Sequence, residues 1–187
     1  MKYSETGIKG LWVIEPQRFG DKRGYFMETF RLDEFTLATG TDVSFVQDNE
    51  SLSSRGVLRG LHFQRGSFSQ AKLVRVSMGR VLDVAVDLRP GSPTLGRYFA
   101  MELSAENALQ LFIPRHFAHG FMVLSETAVF QYKVDNFYAP QAEATLQFNA
   151  PDIGIAWPEI EGGYNISPKD LDALPLKLAA EIVAVDP

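Results

Sequence analysis

The chain contains no cysteine, so disulfides, a thiolate nucleophile and a zinc–thiolate site are all excluded. It also lacks any uncharged apolar stretch that approaches the roughly 20 residues of a membrane-spanning helix. Residues 1–7, MKYSETG, have no apolar core of the kind that marks a secretory signal peptide. These absences predict a soluble, cytoplasmic protein with no membrane partner.

Positive charge is in the minority, with 18 Lys and Arg against 23 Asp and Glu and a net charge of −5. This balance argues against a nucleic-acid partner, although it is compatible with a local basic pocket for phosphate groups. The 187 residues are 45% hydrophobic and 12% aromatic, which is typical of a globular chain. No repeat, linker or low-complexity tract interrupts the sequence, so we expect residues 1–187 to form a single domain.

The dominant period along the chain is two, which indicates β-strands. Residues 81–88 alternate in this way, residues 72, 74, 76 and 78 share one face of the preceding segment, and Gly79 marks the turn between them. Further strands are predicted at residues 11–15, 25–30, 98–102, 109–113, 120–124, 128–134 and 145–148. One short helix is predicted at residues 32–38, with Gly40 as its stop. Many short strands separated by turn residues predict an all-β sandwich or jelly-roll barrel.

Histidine is scarce, and the three histidines of the chain lie in two dense blocks. His62 follows Arg59 in VLRGLHFQ at residues 57–64, and Lys72 stands at the head of the next strand. An arginine, a histidine and a lysine in an apolar setting can bind a phosphorylated ligand and move its protons. His62 alone fits equally well as a core histidine bonded to a carbonyl. Arg59 favours the functional interpretation, because a cation near a buried site requires an anion.

The second block, IPRHFAHGF at residues 113–121, holds His116 and His119 at a spacing of three. That spacing occurs in metal sites, but Pro114 and the aromatic neighbours favour a loop that enters a strand over a helix face. The chain has no His-x-His pair and no carboxylate at a convincing ligand spacing. We therefore predict no metal site.

Several other polar residues have ordinary structural interpretations. Tyr132 shares a strand face with Phe130, so it fits core packing. Asp170 fits a helix-start cap or an exposed loop charge, and Arg23 and Glu28 flank a hairpin where charged side chains are normally solvated. The residue pattern alone therefore predicts a β-barrel with a pocket for an anionic ligand, and no reaction.

Longer motifs connect the sequence to a known family. The motifs are, in order, DKRGYFME at residues 21–28, GVLRGLHFQ at 56–64, QAKLVRV at 70–76, GRVLDVAVDLR at 79–89, FAHGF at 117–121 and DIGIAWP at 152–158. Together they resemble the dTDP-4-dehydrorhamnose 3,5-epimerase family from about residue 7 to residue 170. Several long motifs in register are far more specific than a single short signature. The resemblance implies a cupin-type jelly roll (a double-stranded β-helix) with short helices at the periphery. It also implies a homodimer that exchanges N-terminal strands, and catalysis without metal or organic cofactor.

The resemblance further implies an activity, the epimerisation of dTDP-4-dehydro-6-deoxy-D-glucose at C3 and C5. Both hydrogens are alpha to the C4 ketone, so one base can remove each in turn if the enolate is stabilised. His62 matches the family's base, Asp170 the carboxylate that orients it, Lys72 the cation beside the C4 oxygen, and Tyr132 the acid on the opposite face. Asp83, on the strand beside Lys72, is expected to hold that lysine in place.

The family's substrate-binding positions match a second set of residues. Those in the main body of the chain are Gln47, Asp48, Asn49, Arg59, Lys72, His119, Glu143 and Lys169. Arg23 and Glu28 match residues that reach in from the partner's exchanged strand, and Tyr138 matches an aromatic residue that stacks on thymine. The sequence departs from the family pattern at His116 and around residues 149–156, which are peripheral to the catalytic set.

Two alternatives remain at the level of sequence. The same scaffold can act at one carbon only, with the same proton-transfer residues. A cupin can also bind a sugar without catalysis, or work as a metal-dependent oxygenase. The combination of His62, Tyr132 and Asp170 argues against pure binding, and the missing His-x-His pair argues against metal.

Overall fold

The computed structural model describes residues 1–185, which contain fourteen strands and three α-helices. The strands are β1 (Lys2–Glu5), β2 (Trp12–Glu15), β3 (Arg18–Asp21), β4 (Gly24–Met27), β5 (Gln47–Ser54), β6 (Val57–Gln64), β7 (Lys72–Met78), β8 (Arg80–Asp87), β9 (Tyr98–Ser104), β10 (Gln110–Ile113), β11 (Phe117–Val123), β12 (Thr127–Val134), β13 (Glu143–Thr145) and β14 (Asn165–Ile166). The helices are α1 (Leu32–Thr39), α2 (Pro168–Leu171) and α3 (Leu176–Val185).

Most of the strands form two sheets that pack face to face. The first sheet has the order β1-β2-β10-β7-β12-β5, and the second has the order β13-β6-β11-β8-β9, with β14 pairing in parallel with β6. Strands β3 and β4 form a separate hairpin outside both sheets. From β5 to β13 every connection crosses from one sheet to the other except the one between β8 and β9, which is the connectivity of a jelly roll. The prediction of an all-β jelly roll with short peripheral helices is confirmed.

A single apolar core fills the space between the sheets. Val74 and Phe130 from the first sheet contact a cluster that contains Ala85 and Phe121 from the second. All four are at least 95% buried. Burying a large apolar side chain contributes roughly 1.5–3 kcal/mol, so this shared layer holds the two sheets together.

The outer face of each sheet is covered by a helix. On the first sheet, Phe35 of α1 packs edge-on against Phe112 of β10, with ring centroids 4.9 Å apart. On the second sheet, Ala179 and Val183 of α3 join the cluster that contains Val84 of β8. Strand β8 is therefore buried on both faces, which explains why apolar residues occur on both of them, with Val81 and Ala85 on one face and Val84 and Val86 on the other.

The predicted helix at residues 32–38 is confirmed as α1, and Gly40 ends it. Gly40 has a left-handed φ of 66°, and its N–H donates to the Thr36 carbonyl at 2.9 Å. The predicted strand at 25–30 ends earlier, at Met27, and the one predicted at 145–148 is instead β13, which ends at Thr145.

The sequence pattern missed β1, β3, β5, β6, β14, α2 and α3. Strand β5, QDNESLSS, contains one large apolar residue, Leu52, because it lies at a sheet edge and presents polar side chains on both faces. Within residues 1–185, no helix combines the length and the apolar character needed to cross a bilayer.

Candidate active site

Two histidines lie side by side on neighbouring strands of the second sheet. His62 of β6 is directly opposite His119 of β11. The two backbones approach closely beside them: a Cβ on Gly60 would lie only 2.6 Å from the His119 carbonyl oxygen, and one on Gly120 would meet the Arg59 carbonyl oxygen. Glycine at both positions is therefore what permits this approach, and it sets the two imidazoles next to each other.

His62 is paired with a carboxylate that lies 108 residues later in the chain. Nε2 of His62 and Oδ1 of Asp170 are 2.6 Å apart. The N–H of Gly60 donates to Oδ2 of Asp170 at 3.3 Å, and Ser167 caps α2 by accepting from the Asp170 N–H. Burial alone would raise the pKa of Asp170, but the hydrogen bonds from His62 and Gly60 outweigh burial and hold that pKa below its ordinary value.

The ionised Asp170 decides which nitrogen of His62 is free. A carboxylate only accepts hydrogen bonds, so Nε2 carries the proton in this contact. Nδ1 then keeps its lone pair, and 31% of the His62 side chain remains exposed to a ligand, against 5% for Asp170. The pair is therefore arranged to accept a proton at Nδ1 and to stabilise the resulting imidazolium.

Lys72 extends from the opposite wall, at the start of β7 in the first sheet. Burial lowers its pKa to about 8, while the charges of Asp83 and Glu143 act in the raising direction and do not cancel the effect of burial. A buried ammonium of this kind stabilises negative charge that develops beside it more strongly than one in water does.

Asp83 and His119 form a second buried pair. Nε2 of His119 and Oδ1 of Asp83 are 2.8 Å apart, and the side chains are 7% and 0% exposed. Burial lowers the pKa of His119, against the influence of Asp83, and the nearby charge of Lys72 lowers it further, so His119 is neutral. The sequence assigned Asp83 to hold Lys72, but its hydrogen-bond partner is His119, and Asp83 acts on Lys72 through charge alone.

Tyr132 lies on the first sheet with its ring against the core and its hydroxyl free. In the strand register it is opposite Val74, which shares a face of β7 with Lys72. Its ring packs at 6.2 Å from Phe130, so the core-packing interpretation holds for the ring. Among residues 1–185 the hydroxyl has no hydrogen-bond partner, and burial raises the Tyr132 pKa, so the phenol is protonated and available as a donor.

A group of further polar residues lies around these side chains. Arg59 donates to Oγ of Ser53 at 3.1 Å, and its charge acts on Tyr132. Gln47 and Asn49 are bonded to each other on the inner face of β5 at 2.8 Å. At the edge of the site, Tyr138 and Lys169 both donate hydrogen bonds to the carboxylate of Glu143. The structure thus brings most of the predicted binding residues together.

Three predicted binding residues are not brought to the site within one chain. Asp48 lies on the outer face of β5, because successive side chains on a strand point to opposite faces, and there it pairs with Lys133 at 2.8 Å. Arg23 pairs with Asp21 in its own hairpin, and its side chain is 84% exposed. Glu28 is also exposed.

His116 lies outside this group. It occupies the turn before β11 with a φ of 65°, and its N–H donates to Oγ of Ser69. It does not converge with His119, and in residues 1–185 no three His, Asp or Glu side chains come together as a metal site would require.

Gln64, to which the sequence pattern assigned no role, supports the edge of the site. Its amide nitrogen donates to the carbonyls of Phe68 and Phe137, and its oxygen accepts from the N–H of Ala139. The side chain therefore holds the loop that presents Tyr138. A buried glutamine at the end of an apolar strand was the available signal.

Comparison with known proteins gives consistent matches over most of the chain. A family model described as dTDP-4-dehydrorhamnose 3,5-epimerase matches residues 5–177. The dTDP-4-dehydrorhamnose 3,5-epimerase of Escherichia coli (strain K12) is 50% identical over 170 residues, which are 91% of each chain. A crystal structure of dTDP-6-deoxy-D-glucose-3,5-epimerase from Legionella pneumophila Philadelphia 1, in complex with dTDP-4-keto-L-rhamnose, superposes with a TM-score of 0.91 at 45% identity, covering 95% of this chain and 93% of that one. A dTDP-4-dehydrorhamnose 3-epimerase of Streptomyces niveus is 36% identical over 97% of this chain and 86% of its own.

Proposed function

The chain belongs to the dTDP-4-dehydrorhamnose 3,5-epimerase family, and from that membership we propose that it is an isomerase that converts dTDP-4-dehydro-6-deoxy-D-glucose to dTDP-4-dehydro-L-rhamnose. The reaction inverts C3 and C5, each alpha to the C4 ketone, and is a step in dTDP-L-rhamnose biosynthesis. A nucleotide-linked sugar as substrate also supports a cytoplasmic location.

One observation carries the proposal: the base and the acid come from opposite walls. His62, with its free Nδ1, lies on the second sheet, whereas Lys72 and Tyr132 lie on the first. A sugar held between the sheets therefore presents one ring face to the base and the other face to the phenol. That is the arrangement an inversion requires, because the new proton must arrive from the side opposite to the one that left.

The proton transfers balance without any further reagent. Nδ1 of His62 removes the hydrogen from C3 or C5, and the electron pair moves onto the C4 oxygen as an enolate, which the Lys72 ammonium stabilises. The enolate collapses as the Tyr132 hydroxyl donates its proton to the same carbon from the other face. His62 then releases its proton to solvent, and the tyrosinate takes one up.

Incubation of the protein with the 4-keto substrate in deuterated water, followed by NMR, tests this function. We expect deuterium at both C3 and C5 and a sugar of the L-rhamno configuration. Exchange and inversion at C3 alone would instead make the protein a single-centre epimerase, the activity named for the 36% identical Streptomyces niveus relative. Binding of the sugar with no exchange at either carbon would contradict an epimerase of any kind.

We further propose that the active species is a homodimer in which the β3–β4 hairpin completes the partner's site. The hairpin carries three large apolar side chains, Phe19, Tyr25 and Phe26, that are 55%, 60% and 66% exposed in the single chain. Such a cluster is characteristic of an interaction surface. Arg23 lies on the same hairpin, so docking of the hairpin on a partner would bring a guanidinium to a diphosphate site.

Mixing two inactive variants tests this assembly. In a heterodimer of His62→Ala and Arg23→Ala subunits, one site carries both defects and the other carries neither. Free exchange of equal amounts should therefore restore about a quarter of the wild-type activity. Mass spectrometry of differently tagged subunits verifies the exchange. If Arg23 serves only its own chain, the mixture will remain inactive although heterodimers form.

A further inference from the structure

Glu143 occupies a position between the edge of the site and its base. It lies on β13, which pairs with β6 so that Glu143 is opposite Gln64 and Thr145 is opposite His62. Residues two apart on a strand share a face, so Glu143 and His62 face the same side of the sheet. The charges of the two groups also act on each other.

One oxygen of Glu143 holds two residues that come from different parts of the chain. Oε2 accepts from Oη of Tyr138 at 2.6 Å and from Nζ of Lys169 at 2.5 Å. The Glu143 side chain is only 14% exposed, whereas that of Lys169 is 58% exposed. The carboxylate is therefore the inner anchor of this trio. Burial alone would raise its pKa, but the hydrogen bonds from Lys169 and Tyr138 outweigh burial and lower it, so the anchor stays ionised.

Lys169 is covalently adjacent to Asp170 in α2, a helix of four residues. A single helical turn has little stability of its own and depends on its tertiary contacts. Two of the contacts that hold this turn are the pair between Asp170 and His62 and the pair between Lys169 and Glu143. Loosening the second pair therefore frees the turn that orients the catalytic carboxylate.

We propose that Glu143 is a positioning residue that fixes His62 through Lys169 and Asp170. Through the same oxygen it ties that helical turn to Tyr138, whose ring is half-exposed at the edge of the site. Occupation of the nucleotide end of the site and orientation of the base are thereby linked. The inference rests on the proposed epimerase function and adds a role for Glu143 beyond contact with the substrate.

A double-mutant cycle tests this role in kcat, measured at saturating substrate. Glu143→Gln keeps an acceptor for Tyr138 but removes the charge that holds Lys169, and Lys169→Met removes the other partner. Each change should lower kcat by about ten- to a hundredfold, because a small misplacement of a base is costly. In the double variant the two losses should not multiply, since both break the same link. Glu102→Gln, on an exposed ion pair with Arg80, is the matched control and should retain wild-type kcat. Losses that multiply would overturn the proposal.

Two further measurements separate positioning from binding and from the function itself. Calorimetry with dTDP should show that Glu143→Gln binds at least as tightly as wild type, because Lys169 is released for the diphosphate. Weaker dTDP binding with unchanged kcat would make Glu143 a ligand contact instead.

The His62 ring signals in NMR, easily assigned among three histidines, should move in both single variants. They should move no further in the double variant. If Glu143→Gln shifts these signals by the same amount in the Lys169→Met variant as in the wild type, the effect is direct electrostatics and the proposal is wrong. This NMR result does not depend on turnover, so it stands even if the wild type shows no epimerase activity.

Discussion

The substitution His62→Ala is expected to lower kcat/KM by about 10² to 10⁴, the usual contribution of a positioned general base. Solvent deuterium should then fail to enter C3 or C5, because Nδ1 of His62 is the group proposed to remove both hydrogens. The measurement is NMR of the sugar in deuterated water, alongside thermal unfolding to confirm that the variant is folded. Exchange at the wild-type rate would transfer the role of base to another group, most simply His119, which lies opposite His62 in the strand register.

The control for this substitution is His116→Asn. It also removes one of three histidines, but from the turn outside the site. Asparagine tolerates the left-handed backbone at this position, where φ is 65°, so activity should be unchanged.

The substitution Asp170→Asn is expected to lower activity. The asparagine can donate to Nε2, which favours the tautomer with the proton on Nδ1, so the base is blocked although the fold is kept.

The substitution Tyr132→Phe is expected to separate exchange from inversion. The ring keeps its packing near Phe130, and the hydroxyl has no hydrogen bond to lose within the described residues, so stability should change little. His62 and Lys72 still form the enolate. Deuterium should therefore enter the sugar from the His62 side, while the yield of inverted product falls by about 10² or more, since the donor on the other face is missing.

Comparing the ratio of exchange to inversion in Tyr132→Phe and Tyr164→Phe completes the test. Tyr164 donates to the Pro158 carbonyl at the protein surface, so loss of its hydroxyl should leave the ratio unchanged. Wild-type yields of the L-sugar from Tyr132→Phe would remove Tyr132 from the mechanism and leave it a core residue. A protein that binds sugar without catalysis would show no exchange in any of the three proteins.

The local pattern of the sequence was sufficient for much of the architecture. Alternation identified β7, β8 and β12 and placed Lys72, Asp83 and Tyr132 on defined strand faces, since successive side chains on a strand point to opposite sides. Gly40 identified the end of α1, because only a residue that tolerates positive φ ends a helix in this way. The polar strand β5 escaped detection, because its contribution is hydrogen bonding at an edge and not apolar burial.

The candidate catalytic residues also came from the sequence, through motifs in register with a family, and the resemblance implied that Asp170 orients His62. The residue pattern alone gave Asp170 only as a helix cap or a loop charge, whereas its carboxylate lies 2.6 Å from Nε2 of His62, 108 residues earlier in the chain. Other contacts of the site were not predicted. The partner of Asp83 is His119 and not Lys72, and Asp48 lies on the opposite face from Asn49.

The division has a physical reason. Periodicity and turn chemistry depend on neighbours within a few residues, so the sequence by itself determined the strongly alternating strands and which of their side chains share a face. The distances within the site, and unpredicted pairs such as Asp83 with His119, depend on how two sheets close over one core. Those pairings join segments tens to more than a hundred residues apart, and only the tertiary structure decided them.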